Sequence, residues 1–186
     1  MNILSIFEEH DTVMRAAAEL SPSLEEAAAL LQACLAGGHK ILVCGNGGSA
    51  AAAQHFAAEL VCRFSENRRA LAAIALTADT VTLTATGNDF GYERVFARQV
   101  EALATAGDVL VAISTSGNST NVVAAAEAAR SIRCKVIALT GKDGGALAQV
   151  ADLVLRSPSR VVARVQEVHD VCIHALAQSL EASVIG

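Results

Sequence analysis

Residues 44–60 read CGNGGSAAAAQHFAAEL, and the reactive side chains among them are His55 and Glu59, four apart. On a helix that spacing places an imidazole and a carboxylate on one face, where both can reach one metal ion or one substrate. A helical His/Glu pair is commonly no more than a solvated surface pair. This one follows a glycine turn by about two turns, on a helix that starts there. A second polar concentration lies in RVQEVHDVCIHAL, where Gln166, Asp170 and His174 recur at intervals of four, with Glu167 and His169 beside them. Alone, His174 reads equally well as a satisfied core histidine. Joined to His55 and Glu59, it gives a set of N and O ligands suited to zinc or another divalent metal.

Two stretches rich in Gly and Ser offer different chemistry. GNGGSA and STSGNST each follow a short apolar run and lead into a helical pattern. A helix N-terminus presents free N–H groups and the positive end of its dipole, and Ser49, Ser114, Thr115, Ser116 and Ser119 can add hydroxyl donors. A phosphate is the natural guest. GNGGSA lacks the lysine of G-x-x-x-x-G-K-[ST], and its spacing is not G-x-G-x-x-G, so a nucleotide is not indicated. The competing reading is that the glycines only make tight turns and the serines only cap helices. TGKDGG, after KVIAL, reads as just a turn.

The elements that must position these residues follow from alternation. KILVC, LAAIAL, DVLVAIS, KVIALT and DLVLR are short and nearly apolar throughout, as strands buried on both faces are. Helical patterns follow at 49–63, 80–86 with 92–103, 119–132, 146–150 and 161–184. Strands separated by helices imply right-handed crossovers, a mostly parallel five-stranded sheet and a three-layer α/β/α sandwich. Ligands gather beyond the carboxyl ends of such strands, where both Gly/Ser loops fall. Two helices precede the sheet, at 3–20 and 23–36. In SPSLEE, either Ser21 caps with Pro22 at the first helical position, or Ser23 pairs with Glu26 in a capping box. No linker divides the chain, so residues 1–186 are expected to form a single domain, with helices over 1–36 and an α/β core over 37–186.

Composition narrows the function. At 186 residues and 53% hydrophobic, the chain can bury one substantial core. A net charge of -5 with scattered Lys and Arg gives no basic stripe, which argues against nucleic acid as a ligand. The N-terminus has acidic residues where a signal peptide is basic, and no run approaches 18 apolar residues, so a cytoplasmic location away from membranes is expected. The five cysteines, Cys34, Cys44, Cys62, Cys134 and Cys172, show no Cys-x-x-Cys pair and read as small buried hydrophobes.

Taken together, CGNGGSAAAAQHFAAEL, TGNDFGYERVFARQVEAL, GDVLVAISTSGNSTNV, KVIALTGKDGG and ARVQEVHDVCIHAL closely resemble the phosphoheptose isomerases, a branch of the sugar isomerase (SIS) family. The resemblance covers nearly the whole chain from Lys40 onward. It implies an aldose-ketose isomerase that converts sedoheptulose 7-phosphate to D-glycero-D-manno-heptose 7-phosphate, towards nucleotide-activated heptose for lipopolysaccharide or other glycans. It also implies a homotetramer with sites at subunit interfaces and one zinc ion per subunit.

Position by position, the resemblance assigns the phosphate to Ser49, Ser114, Thr115, Ser116 and Ser119. The sugar falls to Asn46, Gly47, Gly48, Asn88 and Asp89, with Gln166 and a nearby Arg63. His55, Glu59, Gln166 and His174 match the zinc and catalytic set. Glu59 and His174 are the expected proton carriers, with base and acid left open. There are departures. Ala52 stands where many relatives have Asp, Arg69 and Ala72 where prolines are frequent, and Val161 and Val162 replace a more polar segment. Two alternatives are a non-catalytic SIS protein that binds a phosphosugar or assists a replication initiator, and an isomerase of another phosphosugar.

Overall fold

Each of the five apolar runs forms a strand in the computed structural model, which describes residues 2–141 and 143–185. The strands are β1 (Ile41–Gly45), β2 (Ala73–Ala75), β3 (Val109–Ser114), β4 (Lys135–Thr140) and β5 (Leu153–Arg156). They make one parallel sheet in the order β2-β1-β3-β4-β5, with Gly45 opposite Ile113 where β1 meets β3. The order reverses direction between β1 and β3, and in open α/β sheets that switch point opens the ligand crevice.

Both faces of the sheet are covered, which explains why the strands are apolar without alternation. Ile41, Val43, Val111, Ile113 and Leu139 pack against α2 (Ser21–Ala36), α3 (Gly48–Val61) and α8 (Val162–Ile185). Leu42, Cys44, Leu110, Ala112 and Ala138 face α5 (Ala97–Leu103), α6 (Thr120–Ser131) and α7 (Leu147–Val150). Each fully buried aliphatic side chain adds about 1.5–3 kcal/mol of transfer free energy. The three-layer α/β/α expectation therefore holds.

Some boundaries differ from the expectation. α1 (Ile3–Ala17) and α2 are joined by one 3-10 turn, Ala18–Leu20, and neither expected cap forms. Ser21 Oγ instead donates 2.7 Å back to the Ala18 carbonyl, because the 3-10 turn leaves no free first turn to cap. β2 is shorter than 71–76, as befits an edge strand paired on one side only. α4 (Thr80–Phe90) continues through Gly87, so Asn88 and Asp89 lie in its last turn rather than in a loop; Asp79 caps its start, accepting from the Val81 and Thr82 N–H groups. Cys62 is a correction: the other four cysteines are buried, but Cys62 ends α3 and is exposed. Burial pushes the Cys44 thiol up to about 12, so it acts as a plain hydrophobe. Among the described residues, no helix is long and apolar enough to cross a membrane.

Candidate active site

The crevice at the switch point is built by the two Gly/Ser loops. The loop after β1 turns through Gly47, whose φ of 57° and ψ of -122° suit glycine alone, and enters α3 at Gly48. The loop after β3 enters α6 at Ser119, its N-cap residue. Ser119 Oγ lies 3.0 Å from Ser114 Oγ instead of capping its own helix, so the hydroxyls and the first N–H groups of α6 face the same region. Ser116 Oγ accepts from the Asn118 N–H at 3.1 Å. Ser49 and Ser114 are buried, whereas Ser116 is exposed.

Side chains lock the two loops together. Asn46 Nδ2 donates to Asn121 Oδ1 at 2.8 Å, Asn121 Nδ2 donates back to Asn46 Oδ1 at 2.9 Å, and the Tyr92 hydroxyl donates to the same Oδ1 at 3.0 Å. The TGKDGG loop does more than turn. Leu147 N–H donates to the Gly117 carbonyl at 2.8 Å and Ala146 N–H to Asn118 Oδ1 at 2.9 Å, so it braces the β3 loop from behind. Lys142 lies outside the described residues.

Further along α3 and α8, which pack side by side, the reactive groups meet. His55 Nε2 is 2.9 Å from Glu59 Oε1, and the His174 ring stands edge-on to His55 with centroids 5.0 Å apart. Ligand atoms of His55, Glu59 and His174 all lie within 4.8 Å of one another. Two imidazoles and a carboxylate are the donor types that zinc and similar divalent ions take, so the residues present fit such an ion.

The end of α3 that carries Glu59 is clamped. Arg68 donates to the Glu59 and Leu60 carbonyls, both at 2.7 Å, and so caps the helix. Glu181, on α8, accepts the backbone N–H groups of Phe64, Ser65 and Glu66, each at 2.9 Å, and lies 3.4 Å from Arg68 Nε. Burial opposes the Glu181 charge, but those N–H bonds outweigh it and draw the carboxyl down to about 2. The loop so held puts the Phe64 ring 5.8 Å from that of His174.

Gln166 lies apart from the cluster. It sits eight residues before His174 on α8, roughly 12 Å along the axis, and its amide packs over Gly48 where any Cβ would collide. Gly48, Ser49, Ala52, Ile113, Gln166, His169 and Asp170 line a cavity of about 110 Å³ there. His169 is buried, and burial pushes its imidazole down to about 4 despite a 3.1 Å bond to the Thr140 carbonyl. That carbonyl can only accept, so Nε2 carries the hydrogen and Nδ1, which has no partner, is a bare acceptor.

Of the remaining expected residues, Arg63 is exposed just beyond α3 and makes no side-chain bond among the described residues. Asn88 and Asp89 are exposed and bonded to each other at 2.7 Å. Reasoning from the sequence missed Asn121, Tyr92, Arg68 and Glu181. Their roles rest on partners between 8 and 117 positions away, which no local pattern encodes.

The SIS domain family profile matches residues 7–141, well over half of the chain. The chain belongs to the SIS domain family. Within it, the chain is 52% identical over 171 residues to the phosphoheptose isomerase of Aliarcobacter butzleri, covering 92% of this chain and 90% of that protein. It superposes on phosphoheptose isomerase of Neisseria gonorrhoeae with a TM-score of 0.93 at 47% identity, covering 97% of both chains. For the Francisella tularensis phosphoheptose isomerase the TM-score is 0.94 at 42% identity, covering 97% and 96%.

Proposed function

We propose that this chain is a phosphoheptose isomerase that converts sedoheptulose 7-phosphate to D-glycero-D-manno-heptose 7-phosphate. The observation that carries the reading is two unlike groups of side chains, one at the start of α3 and one near its end. Hydroxyls and helix N-termini at Ser49, Ser114, Thr115, Ser116 and Ser119 would hold the phosphate. His55, Glu59 and His174 gather further along the same helix pair. Gly47, Gly48, Gln166, Asn88, Asp89 and Arg63 would hold the sugar. Asn46 Oδ1 already accepts two bonds, so Asn46 would serve through its remaining amide hydrogen or its backbone.

Converting the ketose to the aldose takes a proton from C1, leaves an enediol, and returns a proton to C2 while the hydroxyl proton moves from O1 to O2. Glu59 and His174 are the carriers, one removing and one returning. His55, hydrogen-bonded to Glu59, orients that carboxylate. A divalent metal bound to His55, Glu59 and His174, zinc in our reading and one per subunit, would polarise the carbonyl and offset the enediolate charge. Gln166 is too far along α8 to join that set within one subunit. In a homotetramer it would border the sugar held beside Ser49 and meet the metal set of a neighbouring subunit across the interface. We place the enzyme in the cytoplasm as one SIS unit spanning residues 1–186, acting on a free phosphosugar without nucleic acid or membrane, in the supply of nucleotide-activated heptose.

Proton NMR of purified protein with zinc and sedoheptulose 7-phosphate tests this. Conversion to the aldose is expected. Binding without turnover makes the chain a phosphosugar-binding module, and turnover of a different ketose phosphate alone moves the substrate.

A further inference from the structure

The face of α8 that carries Gln166 and His174 also carries Asp170 midway between them, and nothing in the isomerisation described above uses it. Asp170 lines the 110 Å³ cavity from the α8 side, together with Gln166 and His169. The α3 side contributes Gly48, Ala52 and one polar side chain, Ser49. The space is far larger than the 10–15 Å³ or so that admits one water, and its polar lining suits a hydroxylated carbon. His169 borders the same wall, but its unpartnered Nδ1 is sealed from solvent and so is not offered to a ligand there. The Asp170 carboxylate and the Gln166 amide therefore border the cavity from α8, and the Ala52 methyl borders it from α3.

We propose that Asp170 is a substrate-binding residue that accepts a sugar hydroxyl in this cavity, from the α8 wall opposite Ala52. The inference rests on the reading that Ser49 and Gln166 border the substrate. A carboxylate accepts hydroxyl hydrogens strongly, and such charge-assisted bonds are shorter and stronger than neutral ones. Ala52 leaves the room that the sugar occupies on the opposite side. With a carboxylate on both walls, the two charges would repel across a narrow gap.

Steady-state kinetics on sedoheptulose 7-phosphate, with melting temperatures alongside, tests the proposal in four variants. Asp170→Ala is expected to raise KM about tenfold or more with kcat little changed and an unchanged melting temperature. Ala52→Asp alone is expected to raise KM as well. Ala52→Asp combined with Asp170→Ala moves the carboxylate to the opposite wall, on α3, and is expected to recover most of the lost KM. Asp170→Asn, which keeps the shape, should fall between wild type and Asp170→Ala.

An unchanged KM in Asp170→Ala overturns the proposal, and so does a raised KM that the paired substitution leaves unrecovered. Ser49→Ala and Gln166→Ala are measured in the same series. If neither moves KM, the crevice reading fails and takes this proposal with it. If they do and Asp170→Ala does not, the crevice stands and Asp170 alone is ruled out.

Discussion

Asn46 and Asn121 exchange hydrogen bonds in both directions, at 2.8 and 2.9 Å, across the point where the sheet reverses its strand order. Asn121 is buried and Asn46 half-buried, so the pair fixes the spacing between the two loops that would hold the phosphate. Asn121→Asp keeps the shape but turns a donor into an acceptor facing Asn46 Oδ1. Loss of about 1–3 kcal/mol of stability is expected from unfolding curves. A rise in KM larger than the fall in kcat is expected too, because the loops bind and the cluster reacts.

Gly48→Ala separates packing from function in the opposite way. The added methyl meets only the end of the Gln166 side chain, which can rotate aside, and Gly48 has an ordinary helical setting. The melting temperature should barely move, while KM rises severalfold as Gln166 is displaced. At Gly47, with φ at 57°, alanine is instead expected to cost about 1 kcal/mol or more in stability.

Glu181 makes a pH prediction. Its folded-state carboxyl is drawn down to about 2 from an ordinary 4.5. Since the folded value lies below the unfolded one, its stabilisation is present above about pH 4.5 and is lost as the pH falls towards 2. Thermal melts from pH 6 down to about 2.5 should fall more steeply for wild type than for Glu181→Gln, which has no such charge to lose. At neutral pH Glu181→Gln should be the less stable of the two.

The cluster on α3 and α8 predicts metal dependence. Dialysis against a chelator should lower turnover by several powers of ten, and zinc should restore it. His55→Ala should reduce the zinc retained per subunit, measured by elemental analysis, with the secondary structure by circular dichroism intact.

The sheet was legible because burial on both faces writes itself into the sequence as unbroken apolar runs. KILVC and DVLVAIS needed no partner to be recognised. Ser49 and Ser119 were legible as helix starts, and His55 with Glu59 as a helical pair, because those relations span at most four residues. What stayed hidden is long-range. Nothing near Arg68 says that it caps α3, and nothing near Glu181 says that it holds residues 64–66. Helix limits failed where tertiary contacts override local signals: the 3-10 turn at Ala18–Leu20 removed the need for a cap, and α4 ran on through Gly87. Cys62 was misplaced because composition says nothing of where α3 stops.

The central claim is that Glu59 and His174 move the proton between C1 and C2. Its most direct test is turnover of sedoheptulose 7-phosphate in deuterated water, followed by proton NMR, for wild type, Glu59→Gln and His174→Gln. Wild type should give aldose carrying solvent deuterium, and each variant should lose at least about 10²–10⁴-fold in rate while remaining folded. Wild-type turnover that either folded variant matches would contradict the account.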